Sequence, residues 1–143
     1  RYNTILSFIG QDYNDNFGNG INKIIGVQST QNGGQYYQRI WTSFDPVNFL
    51  ENTVSDPFDA NKIVEELSEI LYCELIDSSR VSYFVKFLIH DNEPNYVWYD
   101  TWNAYKNGNS TDSENALVTI KNRLAGQDGL IPKMINASEF QLM

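Results

Sequence analysis

A single cysteine, Cys73, and a single histidine, His90, occur in 143 residues. One thiol excludes an internal disulfide and any zinc site that needs several thiolates. One imidazole leaves every histidine-dependent mechanism to His90. No apolar stretch approaches the roughly 18 residues that span a bilayer; the longest, Tyr83 to Ile89, is interrupted by Lys86, so no membrane insertion is expected. No basic segment leads into a greasy core and small-residue cleavage site, and a cytoplasmic setting is expected. Cationic residues are scarce too: 10 Lys+Arg face 18 Asp+Glu, for a net charge of −8. Such a chain repels phosphates over a Debye length of roughly 8–10 Å, which argues against direct contact with DNA or RNA.

Several familiar chemistries lack their residues. The polar stretch Gln11 to Gly20 offers Asp12, Asn14 and Asn16 at alternating positions, as a calcium loop does, but Phe17 replaces the turn glycine and Lys23 the closing carboxylate. An Asx-rich turn is the better reading. The same Lys23 breaks a dinucleotide-type run through Gly18 and Gly20, and no phosphate-cradling glycine loop occurs elsewhere. No serine stands in a G-x-S-x-G turn. Neither a cofactor nor a metal is therefore expected, and no catalytic set is assigned.

What is present is 41% hydrophobic and 14% aromatic residues, enough for one core over residues 1–143. Tyr2 to Ile9 reads as a strand. Ile21 to Thr30 and Tyr36 to Phe44 flank Asn32-Gly33-Gly34, the clearest hairpin signal. Pro57 to Leu75 reads as a helix capped by Asp56, with Ile63, Leu67, Ile70, Leu71 and Leu75 on its buried stripe. Val81 to Ile89 alternates like a central strand, with Tyr96 to Trp102 as its hairpin partner. A second helix, Asp112 to Leu124, follows a capping box of Thr111 and Glu114 and ends at Gly126, where a left-handed residue is wanted. Lys133 to Met143 adds an edge strand. This order predicts an α+β two-layer sandwich: a mainly antiparallel sheet of about five or six strands, with two helices packed on one face.

Two asymmetries point to function. Glu51, Asp56, Asp59, Glu65, Glu66, Glu69, Glu74 and Asp77 share one segment with a single base, Lys62. Glu65, Glu66 and Glu69 are expected on an exposed acidic helix face that docks a basic or nucleic-acid-binding protein, as a nucleic-acid mimic would; a merely solubilising face is the plainer alternative. Tyr96, Trp98 and Trp102, with Tyr36 on the other hairpin, are expected to form an aromatic row on the open sheet face, suited to a protein partner or a second copy. The expected function is thus a non-catalytic protein-interaction module, in inhibition or structural assembly such as a viral or phage particle. The alternatives are a small hydrolase using His90 with Asp91 or Asp100, and a carbohydrate- or small-ligand-binding domain on the Tyr/Trp row.

Overall fold

In a computed structural model of the chain, the described residues are 23–29, 35–40, 44–89 and 93–141. The chain divides into two compact units, Arg1–Phe44 and Asp45–Met143. In the first, strands β1 (Lys23–Ser29) and β2 (Gln35–Ile40) pair antiparallel, with Gln28 opposite Tyr36 and a register irregularity between Ile24 and Gly26. The strand expected at Tyr2 to Ile9 and the polar stretch Gln11 to Gly20 lie outside the described residues.

The second unit is helical. Its helices are α1 (Pro46–Thr53), α2 (Ala60–Tyr72), α3 (Ser78–Leu88), α4 (Tyr96–Asn107), α5 (Ser110–Ala125), α6 (Leu130–Ile135) and α7 (Ser138–Gln141). This overturns the expected sandwich: no five- or six-stranded sheet exists among the described residues, and three segments read as strands are helices. Val81 to Ile89 lies mostly in α3. Its alternation is coincidental, because Tyr83, which alternation would place on one strand face with Val81 and Val85, is 46% exposed, whereas Val81, Phe84, Val85 and Leu88 are buried at helical spacing. Asp77 starts this helix by accepting hydrogen bonds from the backbone N–H groups of Ser79 and Arg80, at 2.9 and 3.0 Å. Tyr96 to Trp102 forms the first half of α4, where Trp98 and Trp102, four residues apart, occupy one buried face. The expected edge strand is α6 and α7.

Helix starts follow local chemistry more closely than the sequence reading did. Asp45 caps α1 with Pro46 in its first turn, so the Asp-Pro pair begins a helix. Asp59, and not Asp56, caps α2, and Asn109 caps α5 by accepting from the Asp112 N–H at 3.0 Å, in place of the Thr111–Glu114 box. Gly126 ends α5 in an extended conformation, φ −62°, and the left-handed helix terminus belongs to Cys73 after α2, φ 56°. The buried stripe of α2 is rotated from the expected one. Ile63, Val64, Leu67, Ser68 and Tyr72 are buried, while Ile70 and Leu75 are 46% and 69% exposed.

The core is formed by Leu50, Ile63, Leu67, Phe84, Leu88, Trp98, Trp102, Ile120, Leu124, Leu130 and Met134, all essentially inaccessible to solvent. Helix α4 packs along α5, α2 against α3, and α6 against both α3 and α5. The buried Tyr72 hydroxyl donates to the Met134 carbonyl at 2.8 Å, fastening α2 to α6.

Candidate functional site

An open cleft lies where the turn before α2 meets the start of α4. Asp56, Phe58, Asp59, Ala60, Asn61, Asn95, Tyr96 and Tyr99 line it, around about 370 Å³ of space. Its walls are fixed from beneath. The indole N–H of Trp98 donates to the Pro57 carbonyl at 2.9 Å, pinning the Pro57–Phe58 turn to α4. The Phe58 ring lies 5.3 Å from that of Tyr99 and 6.4 Å from that of Trp102, within the range of favourable aromatic pairing. The turn is shaped by its acids. Asp56 accepts from the Phe58 N–H at 3.0 Å, and Asp59 from the Asn61 N–H at 2.8 Å. Each aspartate thus serves the backbone while its charge remains at the rim.

The aromatic row is split by the helical geometry. Trp98 and Trp102, expected on an open sheet face, are core residues. A spacing of four puts them on one side of α4; Tyr99, three residues from Trp102 and 50% exposed, stands at the flank of that face, and Tyr96, 64% exposed, lies further round. Tyr36 sits on β2 opposite Gln28; its side chain is outside the described residues. The structure therefore brings Tyr96 together with Tyr99, Asp56 and Asp59, and does not bring it together with the tryptophans on one exposed face.

The three glutamates singled out on α2 differ from one another. Glu65 pairs with Lys62 at 3.4 Å across one helical turn. Glu66 reaches back to the loop after α1: Oε2 accepts from the Ser55 N–H at 2.7 Å and Oε1 from the Ser55 hydroxyl. The Ser55 hydroxyl, and then its backbone N–H, hold the Glu66 carboxyl below the usual glutamate range. Glu69 is exposed. Elsewhere in the segment, Glu51 pairs with Lys106 at 2.5 Å. The Asp77 carboxyl is likewise lowered, first by the Ser79 hydroxyl and then by the Arg80 N–H.

His90 and Asp91, the centre of the hydrolase alternative, lie outside the described residues; Asp100 is exposed on α4. Cys73 is exposed at the end of α2 and not within the helix. Among the described residues, no three His, Cys, Asp or Glu side chains are grouped to hold a metal ion, and no helix is long and apolar enough to cross a membrane. The sequence reading missed the contribution of Asp56, Phe58 and Asp59 to the site. Its available signal was the pairing of Asp56-Pro57 with Asp59-Ala60, two successive turn-and-cap signatures that place acids beside an aromatic ring. Compared with protein-family models, curated proteins and solved structures, the chain shows no match to any of them.

Proposed function

We propose that the chain is a non-catalytic protein-binding module that presents an anionic helical surface to a basic partner. The observation that carries this reading is the placement of eight acids and one base between Glu51 and Asp77, on and around α2. Glu69 and Glu74 there are exposed and have no hydrogen bond or ion pair among the described residues. Hydrogen bonds to Asp56, Asp59 and Asp77 organise turns without cancelling their charge, so the segment retains a strongly negative potential that steers a cationic surface toward it. The exposed tyrosines of α4 supply the large, amphipathic contact area that interfaces favour.

The test is affinity capture on the intact chain with identification of bound proteins at low and high salt. Partners should be basic and should be lost as ions screen the surface. Glu69→Lys and Glu74→Lys should each weaken capture, while Glu114→Lys, exposed on α5, should not. Capture that survives high salt and both reversals refutes the proposal.

A further inference from the structure

The cleft at the start of α2 and α4 differs from the rest of the acidic surface because it combines concavity, aromatic rings and carboxylates. Its lining includes two aspartates, three aromatic residues and the amides of Asn61 and Asn95, and among the described residues no lysine or arginine lines it. Two helix N-termini also border it, and their dipoles oppose a cation. Each contributes roughly +0.5 of an elementary charge, against a full negative charge on each of Asp56 and Asp59. The α2 terminus is moreover already capped by Asp59. The carboxylates win, and a cation is the favoured occupant.

We propose that this cleft is the anchor point for an arginine side chain of the partner, an assignment that rests on the protein-binding reading above. An ammonium is strongly hydrated and gains little from an open, wet cleft. A guanidinium is planar and more weakly hydrated, stacks on aromatic faces such as those of Tyr96 and Tyr99, and donates to carboxylates through a rigid fork. Half-exposed tyrosines beside two rim aspartates suit that group. The side chain of Asn95 makes no capping bond to α4, and its carbonyl adds a further neutral acceptor.

The test is a titration of the isotopically labelled chain with the peptide acetyl-Gly-Arg-Gly-amide, followed by backbone amide shifts. Peptides carrying lysine or norleucine in place of arginine, and a set of neutral methyl glycosides, form the other arms. The expected result is saturable change confined to residues 56–61 and 95–99, strongest for arginine and absent for norleucine. Asp56→Asn with Asp59→Asn removes both charges while retaining the capping oxygens, and should weaken binding by roughly fivefold or more. Tyr96→Ala should weaken it by roughly two- to fivefold. Equal binding of norleucine, no change at millimolar peptide, or a response to glycosides and not to arginine each overturns the assignment. Changes centred on Glu69 and Glu74 that ignore the double asparagine variant also overturn it, but leave the acidic-surface reading standing. Loss of salt-sensitive capture with arginine binding intact does the reverse.

Discussion

Replacing Glu66 by alanine separates an acid that builds the fold from one that is free to dock a partner. Both oxygens of Glu66 accept from Ser55, closing the loop between α1 and α2 over eleven residues. Hydrogen bonds to a charged group contribute about 1.5–3 kcal/mol when well shielded. Glu66 is only partly buried, and solvent screening reduces that to about 1 kcal/mol. For a unit of this size, a loss of about 1 kcal/mol lowers the melting temperature by about 4–8 °C. Glu69→Ala, lacking such partners, should change it by less than the scatter expected of surface substitutions, about 0.5 kcal/mol. Thermal and urea denaturation followed by circular dichroism reads both. The pH dependence gives a second readout. The carboxyl of Glu66 is lowered in the folded protein, so its contribution is present above the unfolded glutamate range and is lost as pH falls through the folded value. The wild type should therefore lose its advantage over Glu66→Ala on acidification below the ordinary glutamate pKa of about 4.3. Ser55→Ala combined with Glu66→Ala should be no worse than Glu66→Ala alone, since removing the carboxylate already loses the hydroxyl bond, whereas Ser55→Ala alone keeps the bond from the backbone N–H and should cost less. A pH-independent difference, or additive losses in the double variant, would refute the assignment of Glu66 to loop closure.

Cys73→Gly should stabilise the protein: its φ of 56° costs an ordinary residue about 1–2 kcal/mol, against a backbone entropy cost for glycine of about 0.5–1 kcal/mol. A rise in melting temperature is expected, and a fall would show that the thiol makes a contact worth more than the strain. Leu67→Ala, at a position 1% exposed, should cost about 2–5 kcal/mol in urea denaturation. Trp98→Phe retains most of the core volume but removes the bond to the Pro57 carbonyl; with that carbonyl left unpaired, about 1–3 kcal/mol should be lost. Faster amide exchange at Phe58 and Asp59 should accompany it.

The helix at α2 was legible because caps and aliphatic spacing agreed, and only its phase was misread. Ile70 and Leu75 were assigned to the stripe at the expense of Val64 and Tyr72; aliphatic character alone does not fix which of several overlapping stripes is buried. At α3 and α4 the two periodicities competed. Val81, Tyr83, Val85, Phe87 and Ile89 satisfy a strand, and Val81, Phe84, Val85 and Leu88 a helix. The β-rich composition of both segments favoured the wrong choice, since strand preference largely reflects a fit to half-buried surfaces that helices also offer. Asp77-Ser78-Ser79 was the deciding local cue, because a side chain that accepts from the N–H groups two and three residues on fixes a helix start whatever follows. The candidate site inherited this error. Reading α4 as a strand put Trp98 and Trp102 beside Tyr96; as a helix, it buries the first two and exposes the third together with Tyr99.

The acidic segment changes meaning once its members are placed. Asp59 and Asp77 cap helices, Asp56 holds a turn, Glu66 closes a loop, and Glu51 and Glu65 pair with lysines. Local architecture thus explains why six of these positions carry an acid, without requiring a partner. It does not explain the lack of bases. Capping is served equally well by asparagine or serine, which would leave the surface neutral, and among the described residues only two of the eight acids pair with a lysine. The excess over structural need therefore resides in charge itself. Neutral replacements that preserve the caps, such as Asp56→Asn, Asp59→Asn and Asp77→Asn, isolate it: at neutral pH the first two should leave folding little changed and Asp77→Asn should lose only what its lowered carboxyl contributes, while salt-sensitive capture of a basic partner should weaken with each charge removed. Capture that is indifferent to all three assigns the acids to the fold alone.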